Sequence, residues 1–258
     1  MPTMHLGDQQ LFYFEHRTAA SSAPPLLLIH GAGGQHTHWP PQVRRLEGAH
    51  IIAPDLPGHG RSGSAGRDTI SAYAADMLLL MDALGVGRFV VGGHSMGGAI
   101  AQQLALDAPQ RVAGLVLVAT GARLRVTPQI LDRVLTDCEA VIDFVLAHSF
   151  APSADDGLRQ VGRRILKAIP PQVVYGDYLA CDRFDVMDRL PQIAAPALII
   201  GGTADEMTPP KYLRYLAEHL PDAELHLIDG AGHMIMAERP AEVAHILRGW
   251  LERRFIHA

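Results

Sequence analysis

The stretch that decides the fold is residues 88–98, which read Arg-Phe-Val-Val-Gly-Gly-His-Ser-Met-Gly-Gly. The apolar run Arg88–Gly92 predicts a buried strand, and Ser95–Asp107 predicts a helix. Between them lies Gly-His-Ser-Met-Gly at residues 93–97, in which small residues flank a serine. A strand that turns at once into a helix holds this hydroxyl clear of the backbone, at a strain of about 1–3 kcal/mol. The stretch therefore predicts a nucleophile at Ser95.

The same alternation of strand and helix continues on both sides of this stretch. Apolar runs of strand length alternate with longer amphipathic segments, which is typical of a parallel sheet with helices on both faces. The further predicted strands are Leu26–His30, His50–Ala53, Gly114–Ala119, Ala197–Gly201 and Glu224–Ile228. The further predicted helices are Thr69–Leu84, ended by Gly85, Pro210–Leu220 and Pro240–Arg253. Residues 3–14, with a Gly-Asp pair between two apolar stretches, predict an antiparallel hairpin at the sheet edge.

One long interval after the middle of the predicted sheet breaks this rhythm. It predicts helices over Ile130–Phe150 and Leu158–Ile169 but contains no convincing strand. An insertion at this point would lie over the C-terminal ends of the strands, where open α/β sheets bind ligands. We therefore expect a helical lid over residues 123–180, inserted into a core formed by residues 1–122 and 181–258.

Composition narrows the class of protein. The 258 residues, 48% hydrophobic and 19% charged, are sufficient for one packed domain. A net charge of −5 without a basic stripe argues against a nucleic-acid partner.

Cys138 and Cys181 have the spacing of neither a disulfide framework nor a zinc site. The first residues do not resemble a signal peptide, and no apolar run is long enough to cross a bilayer. We expect a cytoplasmic monomer or homodimer with no membrane partner.

A serine nucleophile needs a base, and the loops after late strands reach the same edge of such a sheet. His233 follows Asp-Gly-Ala-Gly directly after the last predicted strand, and Asp205 follows Gly-Gly-Thr-Ala after the preceding one. A carboxylate at that place would accept the second imidazole N–H and fix its tautomer. Glu206 and Asp229 are the neighbouring alternatives for this acid.

An anionic intermediate also needs backbone donors. The N–H groups of Met96 and of Ala32, in His-Gly-Ala-Gly-Gly at residues 30–34, are the candidates. A phosphate-binding loop is the alternative for this glycine run, but its spacing fits neither known phosphate-binding pattern. His36 and His38 would ligate a metal only if a carboxylate joined them. The sequence shows no such partner, so no metal is expected.

Taken together, these motifs resemble those of the α/β-hydrolase family over nearly the whole chain. The resemblance rests on His30–Gly33, Asp55–Ser62, Gly93–Gly98, Asp205 and Gly232-His233. It implies a mostly parallel eight-stranded sheet flanked by helices, with a helical lid inserted after the sixth strand. It also implies a catalytic triad, an oxyanion hole and neither a metal nor an organic cofactor; the residues concerned are Ser95, Asp205 and His233, and Ala32 and Met96. In this family Asp55–Ser62 is a structural loop, so His59 is expected to be part of the scaffold.

Within the family, the chain looks most similar to small carboxylesterases and lactonases, including 3-oxoadipate enol-lactonases. The expected function is cleavage of a small carboxylic ester or lactone through an acyl-enzyme. The alternatives are a triad-bearing small-ligand receptor or stress-signalling regulator, a carbon–carbon bond hydrolase and a perhydrolase. The candidate substrate-binding residues are His94, Trp39, Phe144 and Tyr175. An inward-facing lid arginine, which would bind a substrate carboxylate, would be one of Arg123, Arg125, Arg159, Arg163 and Arg164.

Overall fold

The computed structural model describes residues 2–6, 9–18 and 23–256. The strands are β1 (Thr3–Leu6), β2 (Gln9–Arg17), β3 (Leu26–Ile29), β4 (His50–Pro54), β5 (Phe89–His94), β6 (Val112–Val118), β7 (Ala197–Gly202) and β8 (Ala223–Ile228). The helices are α1 (Pro41–Arg44), α2 (Ile70–Ala83), α3 (Met96–Asp107), α4 (Pro128–Arg133), α5 (Cys138–Ser149), α6 (Asp156–Lys167), α7 (Pro171–Arg183), α8 (Pro210–His219), α9 (Ile235–Glu238) and α10 (Pro240–Leu251). Short 3₁₀ turns cover His36–His38 and Met187–Gln192, and a π turn over Glu252–Ile256 follows α10.

The strands form one eight-stranded sheet in the order β1-β2-β4-β3-β5-β6-β7-β8. The pairs β1–β2 and β2–β4 are antiparallel, and every other pair is parallel. The two strands of the predicted hairpin are confirmed, whereas its Gly-Asp turn lies outside the described residues. From β3 the chain continues to β4 on one side, and from β5 it continues to β6 on the other. The loops after β3 and β5 therefore separate at a topological switch point, the place where such sheets bind ligands.

Both faces of the sheet are covered. Along β3, Leu27 and Ile29 pack in the core formed with α2, α3 and α8, while Leu26 and Leu28 pack in the core formed with α1 and α10. Strands buried on two faces are apolar at every position. This burial is why the strand runs could be recognised from the sequence, with ends that differ from the structure by one or two residues.

The ends of α2 illustrate how local sequence places a helix. The Thr69 side chain accepts a hydrogen bond from the backbone N–H of Ala72 at the N-terminus. Past the C-terminus, Gly85 has φ +68°, and the N–H groups of Gly85 and Val86 return to the carbonyls of Asp82 and Met81. A left-handed residue of this kind ends a helix, and glycine adopts it without strain. The predicted stop at Gly85 is confirmed.

The helices α4–α7, here called the inserted helices, lie between β6 and β7 and differ from the predicted pattern. The single helix predicted over Ile130–Phe150 is wrong, because the chain breaks at residues 134–137 and Asp137 caps a new helix by accepting the N–H of Ala140. Helix α7, which begins at a Pro-Pro pair and runs to Arg183, was not predicted from the sequence. Proline at the first position favours a helix start, and burial of apolar side chains against the other inserted helices stabilises α7.

In the described part of the chain, no helix combines the length and the apolar character that a membrane span requires. Both cysteines are free thiols. Cys181 is buried in α7, and this burial, followed by the nearby Asp177 carboxylate, raises the pKa of its thiol far above the usual value. The buried thiol is therefore held in its uncharged form.

Candidate active site

Ser95 lies at the turn between β5 and α3, with φ 53° and ψ −116°. A residue with a side chain rarely adopts a positive φ, and such a conformation costs about 1–3 kcal/mol unless its surroundings impose it. Here the Ser95 N–H donates to the carbonyl of Val118 at 2.9 Å, and the Thr120 hydroxyl donates to the Ser95 carbonyl at 2.8 Å. The neighbouring strand β6 and the loop after it therefore hold the strained serine in place.

The flanking glycines are required by close approach of the backbone. A Cβ atom on Gly93 would lie 2.0 Å from the carbonyl carbon of Gly97, and one on Gly97 would lie 2.3 Å from the carbonyl oxygen of Ile29. Such distances do not occur for real Cβ atoms. The atoms in contact belong to the backbone, which cannot move away as the end of a flexible side chain can. The strand–serine–helix turn thus depends on glycine at both positions.

Asp205 and His233 come together as the sequence predicts, and a third residue joins them. His233 Nδ1 lies 2.9 Å from Asp205 Oδ2, and the Thr208 hydroxyl donates to the same oxygen at 2.7 Å. The backbone N–H groups of Met207 and Thr208 both donate to Asp205 Oδ1 at 2.8 Å. Both carboxylate oxygens are therefore hydrogen-bonded. This fixes the orientation of the carboxylate and, through Nδ1, the orientation of the His233 ring.

The electrostatics of this pair favour a charged carboxylate. Burial by itself raises the pKa of Asp205, but the nearby His233 and the hydrogen bonds from His233 and Thr208 outweigh it, so the pKa lies below its usual value. The two alternative acids lie elsewhere. Glu206 is exposed, and the exposed Asp229 accepts a hydrogen bond from the Thr203 hydroxyl at 3.0 Å. Of the three candidate acids, the structure brings Asp205 to His233.

Ser95 and His233 line the same cavity. Within the described residues, the Ser95 hydroxyl makes no hydrogen bond, and none joins it to His233. Hydrogen bonds between a nucleophile and its base are often long without substrate and shorten in the complex. The loop that carries His233 is fixed independently, because His94 Nε2 donates to the His233 carbonyl at 3.0 Å.

The predicted backbone donors flank Ser95. Met96 is the first residue of α3, where the N–H groups have no partner within the helix. Ala32 also lines the cavity, and a Cβ atom on its neighbour Gly31 would lie 3.2 Å from the Ser95 Cβ. The loop after β3 therefore passes beside the serine. The next N–H in this loop, that of Gly33, donates to Asp177 Oδ2 at 2.8 Å.

Neutral histidines surround the serine. Burial, followed by neighbouring imidazoles, lowers the pKa of His30 and His94 well below the usual value, and it lowers that of His38 to about 4. His30 Nε2 accepts the Leu56 N–H, so its Nδ1 carries the proton and donates to the Gly31 carbonyl at 2.8 Å. These rings position the loops at the site and add no charge to it near neutral pH.

The cavity is small and uncharged. Its volume is about 60 Å³. Apolar side chains from the inserted helices form one side of it, among them Val145, Leu146, Phe150, Leu166 and Tyr178. Met207 and Met234 come from the loops that carry Asp205 and His233. Such a lining accommodates a short apolar group.

Three of the four candidate substrate-binding residues are corrected by the structure. His94 lines the cavity, but Trp39, Phe144 and Tyr175 do not belong to its lining. Trp39 is 1% exposed and packs in the core between the sheet and α10. The Phe144 ring lies 4.3 Å from that of His148, and Tyr175 packs among the inserted helices. Trp39 is thus a core residue, and Phe144 and Tyr175 are half-buried among the inserted helices, which a sequence pattern does not separate from pocket lining.

The arginines of the inserted segment also lie outside this cavity. Arg159 donates to the carbonyls of Leu146 and Ala151, and Arg163 forms ion pairs with Asp143 and Glu139. Arg123 and Arg125 line a separate surface cleft with Lys211, Tyr212 and Tyr215. None of these side chains is placed to bind a substrate carboxylate beside Ser95.

The loop Asp55–Ser62 has a structural role. The Asp55 carboxylate is fully buried and accepts the backbone N–H groups of His36 and Arg61 and the His36 Nδ1, the last at 2.7 Å. His36 is thus engaged with Asp55, whereas His38 lines the cavity. Among the described residues, no three His, Cys, Asp or Glu side chains are grouped as a metal site would require.

Two residues that contribute to this site, Thr208 and Asp177, were not predicted from the sequence. Thr208 donates to the Asp205 carboxylate with both its hydroxyl and its backbone N–H, and the Asp-x-x-Thr spacing was the available signal. Asp177 bonds the loop that carries Ala32, but it is 144 residues from Gly33 in the chain. A contact between such distant positions leaves no local pattern in the sequence.

Comparison with known proteins places these features in a family. Residues 26–246 match the family model described as the alpha/beta hydrolase family. A protein of Azorhizobium caulinodans described as "Putative carbamate hydrolase RutD" is 32% identical, with 97% of this chain and 98% of that protein covered. The enol-lactonase from Burkholderia xenovorans has a TM-score of 0.89 at 27% identity, covering 97% and 99% of the two chains. A thermophilic esterase from Thermogutta terrifontis has a TM-score of 0.87 at 28% identity, covering 96% and 94%. The chain belongs to the alpha/beta hydrolase family.

Proposed function

We propose that this hydrolase is a serine enzyme that cleaves a small carboxylic ester or lactone through an acyl-enzyme intermediate. One observation carries the proposal. Ser95 has a strained backbone at a strand–helix turn and shares a cavity with His233, whose Nδ1 is hydrogen-bonded to Asp205. Nucleophile, base and orienting acid in this arrangement are the parts that acyl transfer requires.

The reaction follows from the placement of these groups. The Ser95 oxygen attacks the carbonyl carbon while His233 Nε2 takes the hydroxyl proton, and Asp205 stabilises the imidazolium that forms. The carbonyl oxygen becomes an anion facing the N–H groups of Met96 and Ala32, each of which contributes about 2.7–4 kcal/mol in comparable sites. His233 then protonates the leaving alkoxide, and a water molecule repeats the sequence to release the acid and restore Ser95.

The shape and charge of the cavity favour short, uncharged acyl groups. A volume of about 60 Å³ excludes long chains unless the inserted helices move. Since no lysine or arginine lines it, a carboxylate on the substrate would be desolvated without a partner, which costs several kcal/mol. We infer that the inserted helices act as the lid expected over residues 123–180, because α5, α6 and α7 all contribute to the wall opposite Ser95.

The test is hydrolysis of p-nitrophenyl esters of increasing acyl length and of neutral lactones, by wild type and by Ser95→Ala. Ser149→Ala is a matched control, because Ser149 is a buried serine of the same cavity lining. We expect activity that falls with chain length, is abolished in Ser95→Ala and persists in Ser149→Ala. Equal residual activity in Ser95→Ala would contradict the assignment. Inactivity of wild type on every substrate would favour the ligand-receptor alternative.

A second candidate is hydrolysis of carbamates, which the similarity to the Azorhizobium protein favours. The same groups would attack a carbonyl that carries nitrogen as well as oxygen. Because the cavity lining holds no cationic side chain, a neutral carbamate ester fits it better than the carbamate anion. Adding both to the substrate panel separates the two chemistries: turnover of carbamates alone would replace the ester proposal.

A further inference from the structure

The carboxylate of Asp177, in α7, is fully buried outside the cavity and joins three distant parts of the chain. Its Oδ2 accepts the backbone N–H of Gly33 at 2.8 Å and lies 2.8 Å from His59 Nε2. Its Oδ1 accepts the hydroxyl of Tyr73, in α2, at 2.5 Å. One side chain of an inserted helix therefore connects the loop after β3, the structural loop and α2.

We propose that Asp177 is a positioning residue that ties the donor loop, residues 30–34, to the inserted helix α7. The backbone donor Ala32 then stands beside Ser95 in its productive position only while α7 is docked. This inference rests on the proposed function, because it assigns Asp177 to the oxyanion-binding loop of that same site.

The charges explain why this contact is rigid. His59 Nδ1 lies 3.0 Å from the carbonyl of Pro57, and its Nε2 faces Asp177, so both ring nitrogens face acceptors. A neutral imidazole donates from one nitrogen only, so both bonds require the imidazolium. Burial lowers the pKa of His59, but the Asp177 charge and these bonds outweigh it and raise it. A buried ion pair that also satisfies Gly33 and Tyr73 resists displacement, because any opening leaves a charge unpaired.

Packing keeps the inserted helices against the same loops. A Cβ atom on Gly176 would lie 2.6 Å from the carbonyl oxygen of Arg67, and one on Gly58 would lie 2.9 Å from the Val173 Cγ2. On the donor loop, a Cβ atom on Gly33 would lie 2.5 Å from the Leu166 Cδ2 of α6. The helices thus fit the loops without spare room, and a shift of α7 is transmitted to Gly33 through the Asp177 hydrogen bond.

The His30 ring anchors the start of the donor loop by accepting the Leu56 N–H, and Asp177 anchors the loop at Gly33. The turn at residues 31–34 is closed by the Gly34 N–H to the Gly31 carbonyl at 3.1 Å, a bond that stays within the loop. Within the described residues, the Gly33 N–H has Asp177 as its acceptor. Removing that acceptor leaves a buried donor unsatisfied, which the loop can relieve by moving.

The decisive experiment compares Asp177→Ala with Asp177→Asn on p-nitrophenyl acetate. Alanine removes the acceptor for Gly33, whereas asparagine keeps one oxygen that can accept the Gly33 N–H and replaces the other, together with the charge, by an NH2 group. We expect kcat to fall up to about 100-fold in Asp177→Ala, as for a displaced catalytic group, with KM little changed. Asp177→Asn should recover most of kcat although it also loses stability. Asp182→Ala is the matched control, because Asp182 lies on the same helix and accepts the Val126 N–H instead.

A folded Asp177→Ala enzyme whose kcat stays within about twofold of wild type would overturn the inference. So would equal kcat losses in the alanine and asparagine variants, because a purely structural role does not depend on the acceptor. Should Asp177→Ala fail to fold, amide hydrogen exchange of the wild type decides. The Gly33 amide should open together with α7, and exchange much faster than α7 would overturn the inference. This measurement needs no turnover, so its result stays separate from a failure of the hydrolase proposal.

Discussion

Two buried aspartate–histidine pairs lie in different regions of this molecule and have almost the same local geometry. In the loops after β7 and β8, His233 Nδ1 lies 2.9 Å from Asp205. Between the structural loop and α7, His59 Nε2 lies 2.8 Å from Asp177. All four residues are at most 5% exposed. Distance and burial therefore do not separate a proposed catalytic pair from a structural one.

The two pairs differ at the ring nitrogen of the histidine that does not face the aspartate. In His59 it is bonded to the Pro57 carbonyl, which leaves the ring no free lone pair and fixes its charge. In His233 the second nitrogen makes no hydrogen bond within the described part of the chain, and the residue lines the cavity with Ser95. A general base needs one nitrogen held and one free. By this criterion, only the His233 pair can accept a proton from a nucleophile.

The largest effect is expected from Asp205→Asn. The amide keeps the shape but can hold the wrong imidazole tautomer, and such a change in a comparable triad lowers kcat by about 10⁴. We expect kcat to fall by this order with KM little changed, measured on p-nitrophenyl acetate. Glu206→Gln is the control and should keep wild-type kcat. Full activity in Asp205→Asn would transfer the role of the acid to another residue, with Glu206 the first to examine.

His59→Gln should affect stability rather than turnover. Breaking one side of a buried ion pair typically costs about 3–5 kcal/mol, and we expect a loss of this order in the free energy of unfolding from urea titration. The control is His226→Gln, whose side chain is 36% exposed and whose partner Glu224 is 31% exposed, and it should cost less than about 1 kcal/mol. A large fall in kcat of His59→Gln at unchanged stability would erase the distinction between the pairs.

The raised pKa of His59 also fixes the sign of the pH dependence. A histidine whose pKa is higher in the folded state stabilises it fully below the unfolded pKa of about 6.5. This contribution is lost as pH rises through the folded-state pKa. The stability gap between wild type and His59→Gln should therefore narrow at alkaline pH, and a gap that widens there would show that His59 is neutral in the folded protein.

The meeting of Ser95, Asp205 and His233 at one edge of the sheet could be predicted from sequence because these residues follow strands in a fixed order. Ser95, Asp205 and His233 each lie just past a strand whose apolar run is visible, and parallel strands bring those ends together. The structural pair offered no such guide. Asp177 lies on a helix that the sequence did not reveal, 118 residues from His59. Its carboxylate is indistinguishable in sequence from the exposed acids of the neighbouring helices.

The same limit explains the errors in pocket lining. The segment between β6 and β7 reads as helical, but which face of each helix turns inward depends on how four helices pack together. Val145 and Leu146 line the cavity, while Phe144 beside them packs on His148. Positions that are adjacent in sequence point in different directions on a helix, so the choice among them is a tertiary property.

Thr208→Val would sharpen the comparison at the proposed catalytic pair, because it removes the hydroxyl that donates to Asp205 and keeps the shape of the side chain. A hydrogen bond to a charged group contributes about 1.5–3 kcal/mol, so we expect a stability loss within this range in urea unfolding. The fall in kcat should be much smaller than that of Asp205→Asn, because two backbone N–H groups still orient the carboxylate. The control Thr203→Val removes an exposed hydroxyl bonded to Asp229 and should leave both quantities unchanged. A kcat loss as large as that of Asp205→Asn would make Thr208 the group that orients His233.

His38→Gln should change the pH dependence of stability in the opposite direction to His59→Gln. Burial, followed by the charge of His59, lowers the pKa of His38 to about 4, although Asp55 raises it. Between pH 4 and about 6.5 the unfolded chain therefore binds more protons than the folded one, and stability rises with pH. The stability that the protein has while His38 is neutral is fully present above about pH 6.5 and is lost as pH falls toward 4. Replacing His38 should lower the slope of unfolding free energy against pH by at most about 1.36 kcal/mol per pH unit.

His245→Gln, on the exposed face of α10, is the control and should leave that slope as it is. An unchanged slope in His38→Gln would mean that folding does not lower the pKa of this ring, and the neutral state assigned to the imidazoles around Ser95 would not extend below about pH 6.5.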